Sequence, residues 1–357
     1  MKKDLKLMKG NEAMAEAAIR AGCDAYFGYP ITPQSEVLEY LSREAEKRTG
    51  MVVLQAESEV ASINMVYGAA GTGKKIMTSS SSPGMSLMME GVSYIACAEL
   101  PCLLVNVNRG GPGLGTIQPS QADYFQAVKG GGHGDYKLLV LAPATVQEMA
   151  DFVKLGFELA FKYRIPSMIL TDGALGQMME KVELAPQEER TFEKLPWAIT
   201  GKIEDRPKNS ITSLHLKSEK MEEINVKLQK KYKEIEKNEI RYETIDCEDA
   251  DYIITAYGLV ARICSKAAQL AREKGIKVGV IRPITLFPFP SQIINDYAGK
   301  VKGILDVEMN AGQMVEDVRL AVNGKVPVEF YGRMGGIVPD PEEILNVLEE
   351  KLVGVAV

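Results

Sequence analysis

Short, continuous apolar runs separated by helix-length amphipathic segments dominate the first half of this chain. The runs are Ala25-Tyr26-Phe27-Gly28, Met51 to Gln55, Lys75 to Ser79, Cys102 to Asn106, Leu138 to Leu141 and Ser167 to Leu170. Strands that do not alternate polar with apolar residues are buried on both faces, which is the mark of a parallel sheet covered by helices. The intervening segments carry a helical period: Val37, Leu38, Leu41 and Ala45 in one, Val60, Ile63, Val66 and Ala70 in the next. Asn11 reads as the N-cap of a first helix, and Thr145-x-x-Glu148 as a capping box opening a later one. Strand and helix in alternation predict an α/β fold with a parallel sheet.

From about Glu183 to Asp249 the pattern breaks. Lys217 to Glu243 is rich in Lys and Glu and reads as a solvated helix or surface arm without a chemical motif. A second α/β block follows, with strands at Asp251 to Thr255, Val278 to Ile281 and Gly303 to Val307, a helix ending near Lys274 and another after Asn310. At 357 residues the chain is long enough for two domains. The expected division is 1–185 for the first, 186–248 for a charged linker or helical arm, and 249–357 for a smaller second domain.

Net charge is −6 and no basic patch appears, so nucleic acid is not an expected partner. Five cysteines, Cys23, Cys97, Cys102, Cys247 and Cys264, contain no C-x-x-C pair, which argues against a zinc or iron–sulfur site in this chain. An odd, unpatterned count suits a reducing compartment. Met1-Lys2-Lys3-Asp4 lacks the apolar stretch of a signal peptide, and no long uncharged apolar run could span a membrane, so a cytoplasmic protein is expected.

Two glycine motifs fail on inspection. Gly68 to Lys75 has the G-x-x-x-x-G-K spacing but ends in Lys where Ser or Thr must reach magnesium, and it follows a helix rather than a strand. Gly110-Gly-Pro-Gly-Leu-Gly115 has the wrong spacing for a dinucleotide turn. Convergence is more telling. Ligands of open parallel sheets bind beyond the carboxyl ends of the strands, and four such ends carry the unusual residues: Tyr29 to Pro33, Gln55 to Glu59, Ser79 to Gly84 and Asn108 to Gly115. Thr32-Pro33 reads as an N-cap followed by proline at the first helical position, where free N–H groups attract an anion. Arg109, just past a buried strand, could hold a carboxylate by a bidentate pair. Glu57 and Glu59, two apart at a helix start, point different ways, so at most one faces the crevice. His133, inside Gly130-Gly-Gly-His-Gly134, could line the site, His215 reads as a surface residue, and the seventeen methionines as core filler.

Taken together these residues resemble the thiamine-diphosphate-dependent 2-oxoacid:ferredoxin oxidoreductases. Gly28-Tyr-Pro-Ile-Thr-Pro33 is similar to that family's signature turn, with Gly10-Asn-Glu-Ala13 before it, Glu59-Val-Ala-Ser-Ile63 and Ser82-Pro-Gly-Met85 after it, in the family's order. Asp306-Val-Glu-Met-Asn-Ala-Gly-Gln313 resembles the transketolase-C-terminal-like domain. The resemblance covers nearly the whole chain except the charged linker. It implies an alpha-type subunit whose first domain grips the aminopyrimidine half of thiamine diphosphate. Tyr29, Pro30, Ile31, Thr32, Glu59, Ser82 and Gly84 would then contact the cofactor. Glu59 would meet the ring nitrogen, with Glu57 as its competitor, Thr32 would lie near substrate, and Arg109 near the 2-oxoacid carboxylate.

The family's diphosphate motif is absent, Thr171-Asp172-Gly173 being the nearest approach. The resemblance therefore implies that the cofactor is shared with a beta-type diphosphate-binding subunit. Magnesium and iron–sulfur clusters would sit on partner subunits, gamma-type and ferredoxin-like chains among them. The stretch Arg109 to Asp135 looks more like the branched-chain, 3-methyl-2-oxobutanoate, type than the pyruvate type. The implied reaction is oxidative decarboxylation of a 2-oxoacid to acyl-CoA and carbon dioxide, with electrons passing to ferredoxin. Two other readings stay open on the residues: a transketolase-like transferase subunit without electron transfer, and a non-catalytic scaffold on the same fold.

Overall fold

A computed structural model describes residues 4–190, 195–201 and 207–354, so Met1-Lys2-Lys3 and two pieces of the expected linker lie outside the described residues. The first part of the chain runs β1 (Leu5–Lys9), α1 (Gly10–Arg20), β2 (Ala25–Gly28), α2 (Ser35–Thr49), β3 (Val52–Gln55), α3 (Glu59–Ala70), β4 (Ile76–Ser80), α4 (Ser82–Cys97), β5 (Cys102–Asn108), α5 (Tyr124–Val128), β6 (Leu139–Leu141), α6 (Val146–Tyr163), β7 (Pro166–Asp172), α7 (Gly173–Gln177) and β8 (Met179–Glu183). The remainder runs α8 (Ser218–Asn238), β9 (Tyr242–Ile245), β10 (Tyr252–Thr255), α9 (Gly258–Glu273), β11 (Val278–Pro283), β12 (Thr285–Phe287), α10 (Ser291–Ala298), β13 (Gly303–Glu308), α11 (Met314–Val322), β14 (Val328–Gly332) and α12 (Pro341–Leu348).

These strands form a seven-stranded sheet in the order β12-β6-β7-β5-β4-β2-β3, a five-stranded sheet in the order β14-β13-β10-β11-β9, and a β1-β8 ribbon. The six apolar runs of the sequence pair in parallel, and every residue of β4, β5 and β7 is buried, as expected for strands covered on both faces. β3 departs from that expectation, because it is the edge strand and leaves Val52 and Leu54 exposed. Val37, Leu38, Leu41 and Ala45 make the buried stripe of α2; full burial of a side chain such as Leu41 stabilises by roughly 1.5–3 kcal/mol.

Several local expectations shift. Asn11 lies inside α1, whose N-cap is Lys9, and its side chain reaches across to the 29–33 turn instead of capping. In α3 the inward stripe is Glu59, Ser62, Ile63, Val66 and Ala70, so Val60, about 100° round the helix from Glu59, is exposed. Thr145 caps α6 by accepting from the Glu148 N–H (3.0 Å), but the Glu148 carboxylate takes the N–H of Ala144 and closes no box with the cap residue.

The charged arm is a packed element. Leu228, Tyr232 and Ile235, at i, i+4 and i+7, bury one stripe of α8 in the core shared with the first sheet, while Lys227 and Lys231 pair with Glu99. The two blocks also exchange strands. β9, from the stretch read as linker, pairs antiparallel with β11, and β12, from the second block, pairs antiparallel with β6 at the edge of the first sheet.

Candidate active site

β5, β4, β2 and β3 are neighbours, so the four loops singled out in the sequence leave one continuous stretch of sheet edge. The 29–33 loop is a turn, closed by the Gln34 N–H donating to the Ile31 carbonyl at 2.9 Å and holding a cis Thr32-Pro33 peptide. Helix α2 therefore starts at Ser35, with Gln34 in the N-cap position; Thr32 does not cap it and Pro33 is not its first residue. Because the turn takes those residues, helix N–H groups are not presented at Thr32 as the sequence suggested.

Side chains from three other elements hold this turn. Asn11 Nδ2 donates to the Pro33 carbonyl (2.7 Å), Gln177 Nε2 to the same oxygen (3.1 Å), and Arg109 Nη1 to the Thr32 carbonyl (2.9 Å). Beneath it, the fully buried Gln34 accepts from Ser79 Oγ at 2.6 Å, and Ser79 also bonds Tyr26 Oη at 2.7 Å. Burial pushes the Tyr26 hydroxyl up to about 12, so it stays a neutral hydrogen-bonding group. Tyr29 and Ile31 are left half-buried, with Pro30 and Thr32 exposed at the tip.

Glu59 opens α3 behind the N-cap Ser58, whose hydroxyl accepts from the Ala61 N–H. It is only 6% exposed, and among the described residues nothing hydrogen-bonds its carboxylate. Glu57 is exposed and accepts from the Ser58 hydroxyl at 2.8 Å, so of the two it is Glu59 that faces inward. The first turn of α4 passes directly over it: a Cβ on Gly84 would stand 2.4 Å from Glu59 Oε1 and 2.1 Å from Ser80 Oγ. Glycine is the residue that admits this approach. Around the same strand ends Thr78 Oγ1, Ser80 Oγ, Ser81 Oγ, Asn108 Nδ2 and Arg109 Nε are buried without a hydrogen-bond partner among the described residues. A buried carboxylate and several unsatisfied polar atoms at one edge are what a ligand with its own donors and acceptors would complete.

Arg109 is 6% exposed. Its loop is pinched at the base, where the Gly110 N–H donates to the Gln118 carbonyl at 2.9 Å, and the guanidinium braces it through Nη2 to the Leu114 carbonyl at 3.0 Å. The half-buried Ser82 donates to the Arg109 carbonyl and accepts from its N–H. Arg109 and Ser82 line a cavity of about 430 Å³ at the junction of the two blocks, with Asp123, Met309, Gln313 and Met334. Asp123 accepts from Asn106 Nδ2 at 2.8 Å, and burial raises its carboxyl above the usual range against the opposing pull of Ser82 and Asn106.

Sequence reasoning missed Asn11, Gln34, Gln177 and Asp123. Asn11, inside the quoted Gly-Asn-Glu-Ala stretch, and Asp123, inside the Arg109 to Asp135 stretch read for substrate type, carried a signal; Gln34 and Gln177 carried none. His133 is not brought to this site: its exposed ring lies edge-on to Tyr94, near the far end of α4, and its carbonyl accepts from Ser93. His215 lines a separate cavity with Trp197 and Arg164. Gly68 to Ala70 end α3, and Gly71 to Lys75 form the turn to β4. Asp172 caps α7, accepting from the Ala174 and Leu175 N–H groups.

The chain can now be set beside known proteins. Residues 16–244 match the family described as pyruvate flavodoxin/ferredoxin oxidoreductase, thiamine diphosphate-binding, and residues 250–344 match pyruvate:ferredoxin oxidoreductase core domain II. The chain is 50% identical to the ketoisovalerate oxidoreductase subunit VorB of Methanothermobacter marburgensis, covering 97% of each. It is 36% identical to the 2-oxoglutarate synthase subunit KorA of Methanocaldococcus jannaschii, covering 95% of this chain and 98% of that one. Among solved structures it resembles a 2-oxoglutarate:ferredoxin oxidoreductase from Magnetococcus marinus with 2-oxoglutarate, coenzyme A and succinyl-CoA bound. The TM-score is 0.86 at 29% identity, over 98% of this chain and 65% of that one.

Proposed function

The chain belongs to the thiamine-diphosphate-binding family of the pyruvate flavodoxin/ferredoxin oxidoreductases, and from that premise we propose that it is the alpha-type subunit of a branched-chain 2-oxoacid:ferredoxin oxidoreductase. Its reaction is the oxidative decarboxylation of 3-methyl-2-oxobutanoate to acyl-CoA and carbon dioxide, with electrons leaving to ferredoxin. The half-identity to ketoisovalerate oxidoreductase subunits along almost the full length supports the branched-chain substrate. A likeness to a solved enzyme with a 2-oxoacid and coenzyme A bound supports the reaction class.

One observation carries the cofactor assignment: the buried Glu59 carboxylate, without a partner among the described residues and overlaid by Gly84. When bound, thiamine diphosphate supplies an electron sink for the pair released as a 2-oxoacid loses carbon dioxide. Glu59 would hold the aminopyrimidine by sharing a proton at its oxygen, and Tyr29, Pro30 and Ile31 would flank the ring. Ser82 and Gly84 would meet it from the first turn of α4. Thr32, exposed at the tip of a turn fixed by Asn11 and Gln177, would present its hydroxyl to substrate. Arg109 has guanidinium N–H groups beyond those given to the Thr32 and Leu114 carbonyls, and these would meet the 2-oxoacid carboxylate.

The diphosphate grip, magnesium and the iron–sulfur clusters are assigned to partner subunits of beta, gamma and ferredoxin-like type. The Asp172 carboxylate, nearest to a diphosphate motif in the sequence, is engaged by two backbone N–H groups of its own helix. The test is co-expression with those partners, followed by a 2-oxoacid panel with coenzyme A and viologen. Reduction should require both coenzyme A and the partners and be fastest with 3-methyl-2-oxobutanoate. Carbon transfer without coenzyme-A-dependent reduction would instead support the transferase reading.

A further inference from the structure

The second block reaches the candidate site through a turn. After β14 the chain runs through Arg333-Met334-Gly335-Gly336, and both glycines adopt left-handed backbone, with φ of +66° and +98°. This turn lies against the base of the Arg109 loop. A Cβ on Gly110 would stand 2.9 Å from both the carbonyl carbon of Gly335 and the nitrogen of Gly336, and one on Gly336 would stand 2.4 Å from the Gln118 Cβ. Side-chain carbons do not approach other atoms so closely, so neither glycine has room for a side chain where the two segments meet. The Thr116 methyl, 2.8 Å from the Gly110 Cβ position and 3.1 Å from that of Gly336, fills the space beside them. Gly110 and Gln118 are the pair whose hydrogen bond pinches the loop, and Gly110 directly follows Arg109. Met334, the residue before the turn, lines the same cavity as Arg109.

From this contact we propose that the Gly335-Gly336 turn positions Arg109, and that the second block is thereby part of 2-oxoacid recognition. The proposal rests on the reading above in which Arg109 meets the substrate carboxylate. Gly336 is a positioning residue and acts through the 109–119 loop. A side chain added at Gly336 must drive Gln118 aside. That displaces the pinched base of the loop and with it a guanidinium held at one end by the Thr32 carbonyl. Because a bidentate carboxylate contact is sensitive to sub-ångström placement, substrate capture suffers before turnover does.

The experiment uses the assembled complex and steady-state kinetics. Gly336→Ala should raise KM for the 2-oxoacid about tenfold while kcat stays within about twofold and the KM for coenzyme A is unchanged. Gly324→Ala is the control: its backbone is also left-handed, at φ +74°, but an added Cβ would have no neighbour within 4 Å. Rescue comes from Gln118→Gly, which removes the clashing carbon and should return the KM of the double variant most of the way. An unchanged KM in Gly336→Ala, an equal rise in Gly324→Ala, or no rescue would overturn the proposal. Should Gly336→Ala fail to assemble, Gly110→Ala drives the same wedge from the other side without demanding left-handed backbone, and an unchanged KM there has the same force. Arg109→Ala separates the two ideas. If it leaves KM unchanged, the carboxylate reading falls; if it raises KM while Gly336→Ala does not, only the positioning proposal falls.

Discussion

Both sheets, parallel except for one antiparallel edge strand each, place polar side chains at the carboxyl ends of their parallel strands, yet the two edges differ in how far those groups are satisfied. At the first edge Thr78, Ser80, Ser81 and Asn108 each keep a buried polar atom without a partner, and the Glu59 carboxylate has none among the described residues. At the second edge the buried Glu308 carboxylate accepts from the N–H groups of Gln313, Met314 and Val315 and from Asn310 Nδ2. Asp306 beside it accepts from Thr255 Oγ1 at 2.6 Å through one oxygen, while its other oxygen is buried without a hydrogen-bond partner among the described residues. Burial, then the neighbouring Glu308 charge, raises it far above the usual carboxylate range. The loop organised by Glu308 is in turn fastened to the first block, with Met309 and Gln121 exchanging hydrogen bonds and Asn310 donating to the Gln121 carbonyl. Polar residues at a strand end thus point to a ligand site where the protein does not itself close most of their hydrogen bonds. Where it does, they are joinery between domains.

The comparison can be broken most decisively at the two glutamates. Glu59→Gln should lower kcat of the assembled complex by roughly 10²-fold or more and leave its melting temperature nearly unchanged; a larger loss from Glu57→Gln would move the ring contact to the wrong side of the helix. Glu308→Ala should do the reverse. It strands several buried donors and should cost about 3 kcal/mol or more in denaturant unfolding, so a loss under about 1 kcal/mol would mean the second edge is less tightly closed than described.

A finer test concerns Asp172, a fully buried carboxyl that burial pushes up to about 6 despite two backbone N–H donors. A carboxyl raised in the folded state contributes fully below its unfolded pKa of 3.8, and that contribution is lost as pH rises through about 6. Asp172→Asn keeps an acceptor for the cap and cannot ionise. Its stability relative to the parent should therefore grow between about pH 4 and pH 6 by on the order of 2 kcal/mol and level off above; a flat difference would show that Asp172 is not the group titrating. The smallest effect belongs to the charged arm. Lys227, more than half exposed, pairs with Glu99 alongside the better-buried Lys231, so Lys227→Ala should change unfolding free energy by no more than about 0.5 kcal/mol.

The sheet was legible because burial on both faces writes itself as unbroken apolar runs, and the crevice because four loops share one edge. What was not legible depended on geometry rather than pattern. Thr32 looked like a helix cap, since the turn through Ile31 and Gln34 has no periodic signature. The resemblance favoured Glu59 over Glu57, but the residues alone could not separate them until the direction of α3 was fixed. The charged arm read as solvated because three apolar positions among many Lys and Glu residues leave a faint stripe, though Leu228, Tyr232 and Ile235 suffice to seat it. Gln34 belonged to no motif and Asp123 lay in a stretch read only for substrate type, and the partners that fix each of them are distant in sequence.

The strand exchange at β12 also has a consequence for how the polypeptide is made. Strand β6 ends at Leu141, and the strand that covers its open edge begins at Thr285, about 140 residues later. At a synthesis rate of roughly 5–20 residues per second, the nascent first sheet carries an unpaired rim for roughly 7–30 s. Its last strand then arrives from a segment whose neighbours on both sides belong to the other sheet. The order of synthesis thus makes completion of the first sheet wait on emergence of the second.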